Sequence, residues 1–266
     1  MIETIYIARH GFRANWVNNN WTSPTGLARD PPLSAFGETQ AQELANYFLT
    51  LPENQRPTAI FSSPYYRCLQ TSKPVSKALG VPIYVEHGTP PSPPTPASTH
   101  VQDPPPPSPP TSPRLTQKTG PQSGTPPRVG EDVAQVHARL SGFLDLFVPE
   151  VERLPKTHTR ILLVSHAATV IALARALVGE AALPLRVGCC TLTEVVRRGD
   201  VIPTLGGWEA KLLADGGHLK EGSSRAWGFE DIEVAEGKVV SDPGVPGTED
   251  EKDELVGPQV PLTSNL

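Results

Sequence analysis

Two short apolar runs in this chain each end at a histidine. Ile5-Tyr6-Ile7-Ala8 leads into Arg9-His10-Gly11, and Leu162-Leu163-Val164-Ser165 leads into His166. Runs this short and this continuously apolar read as strands buried on both faces, the pattern of a mainly parallel sheet covered by helices. In such sheets, sites form beyond the carboxyl ends of the strands. Two histidines that each follow a strand can therefore meet at one sheet edge.

The rest of the chain fits that architecture. Ser34 can cap a helix in which Ala41, Leu44, Ala45 and Phe48 recur at helical spacing. Ala59-Ile60-Phe61 reads as a strand ending at Ser62-Ser63-Pro64. The next helix starts at Pro64 and carries Tyr65, Arg67, Leu69 and Val75, with Pro74 expected to kink or end part of it. Val81 to Val85 is a third strand. Val133, Val136, Leu140, Leu144 and Phe147 mark a helix, Arg160 to Ser165 a strand, and Ala167 to Val178 a buried helix. Thr191 to Val196 and Glu209 to Leu213 read as later strands. Strands alternating with helices predict a three-layer αβα sandwich with a mainly parallel sheet. His10, Ser62-Ser63 and His166 fall at one edge of it.

Composition divides the chain. Residues 89–128 hold about half of its 31 prolines, with Ser and Thr and almost nothing apolar. Such a stretch buries too little surface to offset its ordering entropy and is expected to be a disordered insertion. Residues 241–266 read as an acidic disordered tail, which leaves 1–240 as the globular domain. Cys68, Cys189 and Cys190 form neither a disulfide framework nor a zinc pattern and are expected to be buried and reduced. The net charge of −5 argues against direct nucleic-acid binding. The N-terminus lacks a charged region followed by an apolar one, and no apolar run spans a bilayer. These features predict an intracellular protein of cytoplasm or nucleus, with no membrane contact.

The residues at the predicted edge suit phosphoryl chemistry. Arginine donates two parallel hydrogen bonds to a phosphate, so Arg9 and Arg67 are oxygen clamps. A neutral imidazole is available as a nucleophile at cellular pH, and a histidine can carry a covalent intermediate. His10 is the candidate nucleophile, and His166 the group that contacts an equatorial oxygen. Neither metal nor cofactor is needed, because the arginines supply the positive charge. Each residue alone has an ordinary structural reading. Their shared position on one edge singles them out.

These residues carry a resemblance. Ile7-Ala8-Arg9-His10-Gly11, Leu33-Ser34 with Gly37 and Gln40-Ala41, Ser62-Ser63-Pro64 through Arg67 and Gln70-Thr71, and Val164-Ser165-His166 resemble the histidine phosphatase, or phosphoglycerate-mutase-like, superfamily. The resemblance implies that fold, a phosphohistidine on His10, and a phosphate pocket made by Arg9, Arg67 and His166. Arg9 to Trp16, Leu185 to Thr191 and Trp227 to Asp231 look like a fungal subgroup that is similar to the tau 55 kDa subunit of the RNA polymerase III factor TFIIIC. This implies transcription-factor complex subunits as partners, beside a phosphorylated small molecule or phosphoprotein as substrate. It sets a phosphatase against a scaffold or phosphate reader. Arg13 and Asn15 are the substrate-binding candidates.

Two positions depart from the superfamily. Phe12-Arg13 stands where many relatives carry Glu followed by Ser or Thr. The acidic residue that protonates the leaving group is not found in Gly88-Thr89-Pro90-Pro91-Ser92, and Ala167 follows the second histidine. Glu86 is the nearest carboxylate but reads as part of the strand. Glu131 and Asp132 would require the insertion to fold back. The expectation is weak hydrolysis of alkyl phosphates.

Overall fold

Strand β1 (Thr4–Arg9) lies at the centre of a six-stranded sheet. The computed structural model describes residues 1–18, 20–27, 30–86, 132–154, 158–199, 203–231, 234–235 and 238–239. The other strands are β2 (Ala59–Ser62), β3 (Ile83–Val85), β4 (Arg160–Ser165), β5 (Leu192–Arg197) and β6 (Trp208–Asp215). Their spatial order is β3-β2-β4-β1-β5-β6. The first four run parallel, β5 runs antiparallel to β1, and β6 runs antiparallel to β5. A separate small hairpin joins β7 (Val234–Ala235) to β8 (Lys238–Val239). The expected insertion at 89–128, the tail at 241–266 and Glu131 lie outside the described residues.

Side-chain alternation builds the layers. Ile5, Ile7, Phe61, Ile161 and Leu163 project to one face, where they meet α3 (Val133–Glu152) and α4 (Ala167–Val178). Tyr6, Ala8, Ile60, Leu162 and Val164 project to the other, against α1 (Ala35–Thr50) and α2 (Tyr66–Leu79). Period-two strands sandwiched this way bury both faces, which explains the continuous apolar runs. Phe147 of α3 meets Phe61 edge-on with ring centroids 4.9 Å apart. Each large side chain buried like these contributes about 1.5–3 kcal/mol.

Helix α1 starts where expected, with the Ser34 hydroxyl accepting the Gly37 N–H. Helix α2 differs from expectation in two ways. It begins at Tyr66 with Pro64 outside it, and it continues through Pro74. Proline removes one helical hydrogen bond. Cys68 and Val75 are fully buried against the sheet, and this packing holds the helix on both sides of the break. Cys68, Cys189 and Cys190 are buried and unpaired with one another. No helix among the described residues is long and apolar enough to cross a membrane.

Candidate active site

Register brings the two histidines together. In the β1–β4 pairing Arg9 faces Ser165, and the His10 N–H then donates to the Ser165 carbonyl at 2.9 Å. The Ser63 N–H donates to the Val164 carbonyl at 2.9 Å, so the end of β2 joins the same edge. The His10 and His166 rings stand 5.4 Å apart, centroid to centroid. Arg9, His10 and Arg67 are all buried.

Close backbone approach fixes the loop after His10. A side chain at Gly11 would put Cβ 2.7 Å from the Gly37 carbonyl oxygen, and one at Gly37 would overlap the Phe12 carbonyl. Only glycine allows the loop to lie this near the start of α1. Thr71 Oγ1 accepts the Gly11 N–H at 3.0 Å, and Gln40 Oε1 accepts that of Phe12 at 3.0 Å. Gly37, Gln40 and Thr71 thus hold the Gly11-Phe12 backbone that follows His10.

The imidazoles are held in defined states. The Gly11 carbonyl lies 2.8 Å from His10 Nδ1. A carbonyl only accepts, so Nδ1 carries the proton and the lone pair is on Nε2. At His166, Arg67 Nη2 is 3.3 Å from Nδ1 and Ser63 Oγ is 3.1 Å from Nε2. Arginine only donates, so His166 accepts at Nδ1 and donates from Nε2 to the serine. Burial first, then the Arg67 guanidinium, pushes both histidines well below the ordinary imidazole pKa, and Arg9 and Arg13 act the same way. Both rings are therefore neutral at cellular pH. Beside them, burial pushes the Cys68 thiol up to about 12, which keeps it protonated.

The two arginines are anchored differently. Arg9 Nη1 donates to the Val187 and Arg225 carbonyls at 2.7 and 2.6 Å. Arg67 Nη1 lies 3.4 Å from Asp30 Oδ1, and its guanidinium covers the Tyr65 ring at 4.3 Å. Asp30 is fully buried and also accepts the Tyr66 N–H at 3.0 Å and the Thr25 hydroxyl at 3.0 Å. It ties the loop before α1 to the start of α2 and so positions Arg67.

Arg13 stacks on Trp16, with Cζ 4.1 Å from the ring centroid, and Trp16 lies 6.1 Å from the His10 ring. Asn15 is buried, and its Oδ1 has no hydrogen-bond partner among the described residues. No hydrogen bond joins Asn15 to the histidine–arginine cluster among those residues. Asp132 is engaged elsewhere, in a reciprocal cap of α3 with Gln135. Glu86 differs from its expected place. Strand β3 ends at Val85, and the Glu86 N–H donates to the Ser62 carbonyl at 2.8 Å. It therefore stands just past the strand, on the edge that bears the histidines. Sequence reasoning missed Asp30 and Arg225. Asp30 sits just before Pro31-Pro32-Leu33-Ser34, but only the fold reveals its partner. Arg225 carries no local signal.

Comparison with known proteins agrees with this architecture. The family model of the histidine phosphatase superfamily, branch 1, matches residues 5–88 and 111–209, so the match breaks inside the proline-rich run. The solved structure of Bacillus stearothermophilus YhfR is similar at a TM-score of 0.51 and 20% identity, covering 82% of this chain and 99% of that one. Mycobacterial hydrolase 1 is similar at 0.50 and 20% identity, covering 79% and 97%. The transcription factor tau 55 kDa subunit of Saccharomyces cerevisiae is 38% identical over 189 residues, 67% of this chain. The chain spans 42% of that relative's length. On the family match over most of its sheet and helices, the chain belongs to the histidine phosphatase superfamily.

Proposed function

We propose that the protein hydrolyses a phosphomonoester through a phosphohistidine on His10. The observation that carries this reading is the His10 Nδ1 contact to the Gly11 carbonyl, which leaves the Nε2 lone pair beside Arg9, Arg67 and neutral His166. Nε2 attacks phosphorus as the ester P–O bond breaks. The leaving oxygen departs with the bonding pair. Water then attacks the phosphohistidine, releases inorganic phosphate and regenerates the imidazole. Arg67 offsets charge on the equatorial oxygens, and His166 joins it when its Nε2 proton turns from Ser63 to a phosphate oxygen. Arg9 Nη1 is held by two carbonyls, so Arg9 meets phosphate through Nε and Nη2. Arg13 and Asn15 border the substrate. Phe12, Trp16, Tyr65 and Tyr66 suit an aryl or otherwise flat ester.

Glu86 is our candidate for protonating the leaving group. It stands just past β3, with its N–H on the Ser62 carbonyl at the edge that bears the histidines. General-acid help is worth roughly 10²–10⁴-fold and matters most for alkyl alcohols. Glu86→Gln should therefore cost about 10²-fold or more on glycerol phosphate and far less on 4-nitrophenyl phosphate. Equal losses on the two esters would remove Glu86 from this role. The domain responsible is taken as 1–240, with 89–128 as an insertion and 241–266 as a tail. The protein is taken as intracellular.

A second reading is favoured by the likeness to the tau 55 kDa subunit. In it the protein is a subunit of a transcription-factor assembly, and the pocket reads a phosphate without turning it over. His10→Ala separates the two. A phosphatase loses turnover of 4-nitrophenyl phosphate. In an assembly subunit, wild type and variant are equally inert and capture the same partners from extract.

A further inference from the structure

A second group of guanidiniums surrounds Trp16, one ring away from His10. Beyond Arg13, Arg225 Cζ lies 5.0 Å and Arg9 Cζ 5.5 Å from the Trp16 centroid. Arg225 also approaches the Phe12 ring, at 5.9 Å. It is exposed and forms no ion pair among the described residues. Arg67, Arg153, Arg160, Arg186 and Arg197 each have a carboxylate partner.

The backbone that presents Arg225 is tightly held. Val187 and Trp227 exchange N–H to carbonyl bonds of 2.8 and 3.2 Å, and the Cys189 N–H donates to the Ser224 carbonyl at 2.8 Å. Gln40 Nε2 donates to Ser224 Oγ at 2.9 Å. The carbonyl of Arg225 itself accepts from Arg9. Within this strap Arg225 has a φ of 51°, in the left-handed region, where glycine or asparagine is less strained. Strain of this kind persists at sites where the surroundings over-determine the residue.

We propose that Arg225, stacked on Trp16, is a second anion subsite of the pocket. The substrate is then a phosphate ester that carries another anionic group. This rests on the reading of the His10 pocket as a phosphate site. A hydrogen-bonded guanidinium–anion contact is worth about tenfold or more in affinity. The carbonyl that holds Arg9 is backbone, so substitution at residue 225 leaves that anchor in place.

Calorimetric titration of the full chain with inorganic phosphate and with bisphosphonates of increasing methylene spacing tests the proposal. At the best spacing, the wild type should bind the bisphosphonate about tenfold or more tighter than phosphate. Arg225→Gln should abolish that preference and leave phosphate affinity within about twofold. Arg225→Gly, which suits the left-handed backbone, gives the same result in a second background. A phosphoserine peptide with a flanking aspartate, against its alanine counterpart, tells whether the second charge comes from a peptide or a small molecule. Phosphate binding without a bisphosphonate preference overturns the subsite, as does a preference that survives both variants. Failure of phosphate to bind the wild type overturns the pocket reading and this inference with it.

Discussion

Asp30→Asn separates what the buried carboxylate does for stability from what it does for the site. Breaking a buried ion pair by removing one partner ordinarily costs about 3–5 kcal/mol. Here the geometry predicts much less. The Arg67–Asp30 distance of 3.4 Å is long for a charge-assisted bond. Burial, the largest influence, raises the Asp30 pKa above the ordinary aspartate value. The Tyr66 N–H and Arg67 pull it down without reversing the shift. Ionising this carboxyl therefore costs more in the folded chain than in the unfolded one, and a neutral isostere escapes that cost. An amide can also keep most of the contacts, with its oxygen in place of Oδ1 toward Tyr66 and Arg67 and only the 3.2 Å bond from the Tyr66 N–H to Oδ2 lost. Its nitrogen would replace Oδ2 beside the Thr25 hydroxyl. Urea unfolding at neutral pH should place the variant within about 1 kcal/mol of wild type, on either side. Loss of the charge that orients Arg67 should still lower kcat/KM on 4-nitrophenyl phosphate by about 10²-fold. A carboxyl with a raised folded pKa costs stability above that pKa, and the cost disappears as pH falls through it. The variant's stability relative to wild type should thus be highest near neutrality and decline toward acid. A loss of more than about 3 kcal/mol at neutral pH that vanishes in acid would refute this reasoning and show a stabilising pair.

Two further predictions concern the loop and the imidazoles. Because burial and nearby guanidiniums lower both histidines, nuclear magnetic resonance titration should find His10 and His166 neutral at about pH 6. Their contribution to stability is complete above the unfolded value of 6.5 and is lost as pH falls below it. Midpoints at or above 6.5 would contradict the all-cationic surroundings. Gly37→Ala would drive Cβ into the Phe12 carbonyl and should cost about 1–3 kcal/mol in urea unfolding. Gly142→Ala in α3 meets nothing within 4 Å and should instead stabilise by about 0.5–1 kcal/mol. The reverse order would place the loop elsewhere.

Much of the sheet was legible because strands buried on both faces leave unbroken apolar runs. Arg160 to Ser165 and Ala167 to Val178 match β4 and α4. The Ser34 cap was legible because capping is local. Pro74 misled because its effect on α2 depends on tertiary packing, which a propensity does not contain. Arg67 sits in the first turn of the helix after β2, and the convergence of His10 and His166 followed from a general rule about strand ends. Asp30 did not, because its role requires knowing that the loop before α1 reaches the start of α2. Glu86 reads as strand from sequence because a boundary shift of one residue is below what sequence patterns resolve. Arg225 was invisible because its strap is set by bonds to Val187, Cys189 and Gln40, far away in sequence.

The central claim is that His10 Nε2 takes the phosphoryl group. Brief mixing of the protein with a labelled aryl phosphate, then alkaline quench and peptide mapping, tests it most directly. The account predicts label on the peptide containing His10, stable in alkali, lost in acid and missing from His10→Asn. Turnover with no label on that peptide, or label that persists in the variant, would contradict it.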